Sequence, residues 1–148
     1  MYRIINSLAS AEFNRKLRAV EVNFNGYGES FLYHETMDIA MNIAVIHDSN
    51  KWLFIKDSFR DIDSYEFLYF VRKWSKTCSE LFDPLSPNSV CQVALLTSPD
   101  SHHKLLNEQE WIRRPTSKFS NLNLKVFCDQ EEAHAFLGKK IHRELANF

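Results

Sequence analysis

Glycine is scarce in this chain, with three in 148 residues, and that scarcity removes the nucleotide-binding loops first. Gly26, Gly28 and Gly138 cannot be assembled into a dinucleotide fingerprint or a Walker lysine loop, because the spacings and the residues that must follow are absent. Cysteine is scarce and odd in number: Cys78, Cys91 and Cys128 each sit in an apolar run. They read as small buried hydrophobes in a reducing, cytoplasmic setting, not as a disulfide frame, and none has zinc-ligand spacing. No run reaches the roughly 18 apolar residues of a membrane span. The start, Met1-Tyr2-Arg3-Ile4-Ile5-Asn6, lacks the pattern of a signal peptide. Nor is there an excess of charge: 18 basic against 19 acidic residues leave a formal net charge of -1, so no global field holds nucleic acid.

What the chain has is aromatic and aliphatic mass, with twelve Phe, five Tyr and three Trp in an apolar fraction of 45%, enough for one folded domain over residues 1–148. The stretch 51–82 organises it. Trp52-Leu53-Phe54-Ile55 is an apolar run too short for a free helix and without alternation, which predicts a strand buried on both faces at the centre of a sheet. Residues 56–60 form a polar exit loop. A helix follows, with Asp63 and Glu66 as a capping box and Phe67, Val71, Trp74, Cys78 and Leu81 along one face.

Elsewhere, residues 1–8 suggest a short edge strand and residues 9–14 a turn. Val20, Val22 and Phe24 alternate with Glu21 and Asn23, the pattern of a half-exposed strand, before the glycine turn at 25–28. A helix is expected over 29–48, with Leu32, Ile39, Ile43 and Ile46 on its apolar face, flanked by Tyr33, Met37, Ala40 and Ala44. Residues 83–89 carry two prolines and form a loop. Val93-Ala94-Leu95-Leu96 is a second doubly buried strand, Ser98-Pro99 opens a helix, and residues 124–128 form a third strand. Asp129 and Glu132 then cap a closing helix. Strands alternating with helices require crossover connections, so the fold class is α/β: a single domain with a mostly parallel, mixed sheet of about five strands.

Catalytic patterns are weak. His102 and His103 are adjacent and diverge by about 100° on a helix, so they do not share an ion. Ser98 sits on a strand-to-helix turn but lacks a hydrolase elbow, and capping accounts for it. Asp57, Asp61 and Asp63 cluster at the end of the central strand, where Mg²⁺ or a phosphoryl group could be held; a solvated, capped loop is the simpler reading. The surplus of rings allows a homodimer or an apolar ligand.

The loop Phe59-Arg60-Asp61-Ile62-Asp63-Ser64-Tyr65-Glu66-Phe67-Leu68 and the closing Leu124-Lys125-Val126-Phe127-Cys128-Asp129-Gln130-Glu131-Glu132-Ala133-His134-Ala135-Phe136-Leu137, taken with the order of elements, resemble the SpoIIAA-like branch of the STAS superfamily. The resemblance implies a non-enzymatic α/β domain used for regulation, partner binding or uptake of a small apolar ligand, with no cofactor. In the anti-sigma-factor antagonists of that superfamily the equivalent loop reads Asp-Ser-Ser-Gly, and a partner kinase phosphorylates the second serine. Here Asp63-Ser64 match the first two positions, Tyr65 stands at the acceptor and Glu66 replaces the glycine. The expected contact loop is therefore Asp57, Ser58, Asp61, Asp63, Ser64 and Tyr65. The alternative is a lipophilic ligand between sheet and helices, lined by Tyr33, Met37, Phe67, Phe70 and Trp74.

Overall fold

The strands of the sheet follow their order along the chain. In the computed structural model, which describes residues 3–25, 30–57, 91–108 and 122–138, these strands are β1 (Arg3–Ile4), β2 (Ala9–Asn14), β3 (Ala19–Phe24), β4 (Lys51–Lys56), β5 (Cys91–Leu96) and β6 (Leu122–Phe127). The first three form an antiparallel ribbon, with Ala11 opposite Val22 and Asn14 opposite Ala19. From β3 onward every pairing is parallel, with Val20 beside Trp52, Trp52 beside Val93 and Val93 beside Leu124. The sheet is mixed and the domain α/β: five six-residue strands with a two-residue edge.

Three helices are described: α1 (Ser30–Ile46), α2 (Pro99–Glu108) and α3 (Gln130–Gly138). Right-handed crossovers that keep stepping the same way along a sheet put their helices on one face. Accordingly Met37, Ala40, Met41 and Ala44 of α1 and Leu105 of α2 share a core with Ala9, Ala11, Val20, Val22, Trp52, Phe54, Val93, Leu95, Leu124 and Val126. The terminal α3 lies on the other face, where Ala133, Phe136 and Leu137 cover Ala19, Leu53 and Ala94. Both sides of β4 and β5 are thus closed, which is why the runs Trp52–Phe54 and Val93–Leu95 are apolar without alternation. Trp52 is fully buried, as the central position requires.

Four expectations change. Residues 9–14 are strand β2, not a turn; alanines at 9 and 11 are buried beneath α1, where their small side chains suit a helix lying close. β3 is covered on both faces, since Glu21 is 7% exposed. The buried face of α1 is Thr36, Met37, Ala40, Met41 and Ala44, while Ile39 and Ile43 are half-buried and Ile46 is exposed. Of the cysteines, Cys91 is buried but Cys128 follows β6 into solvent, and Cys78 lies outside the described residues. The helix expected after residue 60 and the loop at 83–89 also lie outside them.

The expected caps of α2 and α3 form. The Ser98 hydroxyl accepts from the Ser101 amide at 3.3 Å, and the Asp129 carboxylate accepts from the Glu132 amide at 3.3 Å.

Candidate functional site

In an open α/β sheet, ligands and partners approach the carboxyl ends of the parallel strands, where the chain leaves the sheet and loops can be shaped freely. Here that end is built from Phe24, Lys56, Thr97 and Phe127 and the residues that follow them. β4 places Trp52, Phe54 and Lys56 on one face by its two-residue period, so a lysine occupies the place of a third apolar residue under α1. It is not part of an exposed exit loop: Lys56 is 3% exposed.

Its ammonium stands 5.9 Å from the centroid of the Tyr33 ring, within cation–π range. That ring is tilted against Phe24 at 5.6 Å, and the Tyr33 hydroxyl is buried. One turn along α1, Met37 is 6% exposed and belongs to the same core. Two of the expected ligand-lining residues therefore share one face at this end of the sheet. Phe67, Phe70 and Trp74 lie outside the described residues.

Asp57, the first residue of the expected contact loop, is exposed. Its carbonyl accepts from the Ser98 amide at 3.2 Å and from the Thr97 hydroxyl at 3.4 Å, which ties the exit from β4 to the entry of α2. The backbone of Asp57 is thus a fixed point. Ser58, Asp61, Asp63, Ser64 and Tyr65 lie outside the described residues.

Ser98 acts as a cap: its hydroxyl accepts from the Ser101 amide, and its carbonyl accepts from the His102 amide at 2.8 Å. The two histidines part company as their spacing requires: His102 turns its Nε2 to the Val126 carbonyl at 3.2 Å, while His103 is exposed. Among the described residues, no group of three His, Cys, Asp or Glu side chains converges as a metal site.

On the opposite face is a polar site that sequence patterning does not single out. Glu21 pairs across the ribbon with Glu12, and Asn14 Nδ2 donates to Glu21 Oε1 at 3.2 Å. Burial pushes the Glu21 carboxyl above its ordinary value, and His134 on α3 pulls it partly back. Alternation alone assigns Glu21 to solvent, and nothing local announces that α3, from the far end of the chain, covers that side. Lys56, by contrast, is legible: it continues the face of Trp52 and Phe54 by two residues.

The arrangement offers recognition elements: a buried ammonium beside an aromatic ring, and an exposed carboxylate on a pinned backbone. No family model, no curated protein and no solved structure matches this chain.

Proposed function

We propose that this chain is a non-enzymatic regulatory or protein-interaction domain of the SpoIIAA-like type, and that its contact surface is the loop opening at Asp57. The observation that carries the reading is the anchoring of Asp57. An exposed carboxylate sits at the carboxyl end of a central parallel strand, and its backbone is held by two hydrogen bonds from Thr97 and Ser98, between β5 and α2. A rigid base lowers the ordering cost of a recognition loop. The element order, with crossovers stepping one way along the sheet, supports the same reading through the resemblance of the loop and closing segments.

The test is affinity capture with the full chain, followed by measurement of the captured protein's dissociation constant. Replacing Asp57, Asp63 and Ser64 by alanine is expected to abolish capture while leaving the melting temperature within a few degrees. Equal capture by the substituted chain, or none by either, overturns the reading.

A second reading, carriage of a small lipophilic ligand, draws support from Tyr33 and Met37 lying on one face with Phe24 and Lys56. Native mass spectrometry of the freshly purified chain tests it, since a carrier retains a bound mass that organic extraction removes.

A further inference from the structure

The opposite end of the sheet carries an unusual concentration of positive charge for a chain whose formal net charge is -1. β2 and β3 are joined by Arg15, Lys16, Leu17 and Arg18, and the neighbouring strand β4 begins at Lys51. Arg15, Lys16 and Arg18 are exposed and Lys51 is half-buried. The charges come together through the sheet, not through the sequence: β3 and β4 pair in parallel with Val20 beside Trp52, so Arg18 at the end of the hairpin loop and Lys51 at the start of β4 enter neighbouring strands at the same level. In keeping with that register, Lys51 is held below the usual lysine value first by burial and then by the Arg18 guanidinium.

The backbone fixes this juxtaposition. Arg18 adopts φ 55°, in the left-handed region, at the last position of the hairpin loop. Glycine or asparagine would sit there at lower cost, by about 1–2 kcal/mol for an ordinary side chain. The conformation is pinned from two sides. Asn14 Oδ1 accepts from the Leu17 amide at 3.0 Å, and the buried Ser49 hydroxyl donates to the Arg18 carbonyl at 2.5 Å. Ser49 Oγ also accepts from the Lys51 amide at 3.3 Å, so one serine registers the backbones of both cationic residues. Asp48, three residues before Lys51, is exposed and itself has φ 50°. Two cationic residues whose backbones a buried serine registers side by side repel one another until an anion comes between them, and a guanidinium with an ammonium is the donor set that a phosphoryl group takes.

We infer that Arg18 and Lys51, with Ser49 setting their backbones and Arg15 and Lys16 at the rim, form a binding site for a phosphoryl dianion at the amino end of the parallel strands. The dianion is borne either by a small phosphate ester or by a phosphorylated side chain of a partner. This site is separate from the Asp57 loop and does not depend on the function proposed for it.

The full chain, labelled with ¹⁵N, is titrated at constant ionic strength with pyrophosphate in one arm and with a short phosphoserine peptide in the other. Saturable shifts centred on the amides of Arg18, Ala19, Ser49 and Lys51 are expected. Arg18→Gln with Lys51→Gln should weaken binding at least about tenfold. Should that double variant fail to fold, Arg18→Gln alone, at an exposed side chain, carries the same expectation. Ser49→Ala, which keeps both charges, should also weaken binding by releasing the Arg18 carbonyl. Tighter binding of the peptide assigns the group to a protein partner, and tighter binding of pyrophosphate to a small molecule. Shifts that do not saturate, that spread equally over other surface lysines such as Lys125, or that persist unchanged in Arg18→Gln overturn the proposal.

Discussion

At the scale of single residues, the groups that depart from their pattern are the polar ones placed where the sheet is closed. Glu21 illustrates the cost and its direction. Its carboxyl is raised by burial, so the folded chain holds that proton to higher pH than the unfolded chain does. Below the ordinary carboxylate value of 4.5 both states are protonated and nothing is lost. As pH rises through the interval from that value to the raised folded one, the unfolded state ionises first and stability falls. Replacing Glu21 by glutamine keeps the acceptor for Asn14 and removes the charge. Denaturant unfolding of Glu21→Gln should therefore match the native chain in acid, exceed it at neutral pH, and lack the downward slope between. A slope that survives the substitution assigns it elsewhere. His134 moderates the effect, since its positive form favours the carboxylate, so His134→Ala should steepen the loss. None of this is visible to alternation, which sees a glutamate between two valines and assigns it to water. Lys56 is the converse case, because the same two-residue period that buries Trp52 and Phe54 also places the lysine, and only its chemistry argues for a loop.

At the scale of elements, legibility follows how much of an element's stability is local. The central strands β4 and β5 are readable because a short apolar run without alternation fits a strand covered by a layer on each face. β2 is not. Its sequence, ASAEFN, holds no β-branched residue, and what makes it a strand is the six-residue register with β3 and the fit of Ala9 and Ala11 beneath α1. The buried face of α1 misleads for the same reason, since a close approach favours Thr36, Ala40 and Ala44 over the larger isoleucines. Asn6 joins these two misread elements. Its Oδ1 accepts from the amides of Leu8 and Ala9 at 2.8 and 3.0 Å, and its Nδ2 lies within 3.2 Å of the Leu32 carbonyl, 2.9 Å of Glu35 Oε1 and 3.2 Å of Thr36 Oγ1. Removing it leaves partly buried backbone groups without their acceptor. Asn6→Ala is expected to cost about 2 kcal/mol, read as a lower denaturant midpoint with an unchanged slope. Asn6→Asp keeps the acceptor, loses the donors and sets a carboxylate against Glu35, so it should not recover the full stability.

At the scale of the whole molecule, the resemblance rests on the sequence 59–68, the closing segment and the order of elements, and the first of these directs attention to the carboxyl end of β4. The other end escapes a reading of the sequence because its charges come from separate segments, a hairpin loop and a strand start, brought together only by the pairing of β3 with β4. The two ends are separated by the length of a six-residue strand, about 20 Å at 3.3 Å per residue. That distance exceeds the screening length of about 8 Å at physiological salt, so charge at one end has little direct influence on the other. If the central strands act as a rigid spacer, variants at the two ends should be additive. Arg18→Gln with Lys51→Gln is expected to leave partner capture at the Asp57 loop unchanged, and alanine at Asp57 to leave pyrophosphate binding unchanged. Combining them should give the sum of the separate free-energy changes. A coupling of more than about 0.5 kcal/mol in that cycle would mean that anion binding and partner binding report to each other through β4, and the domain would then be a relay between its ends instead of a scaffold with two independent surfaces.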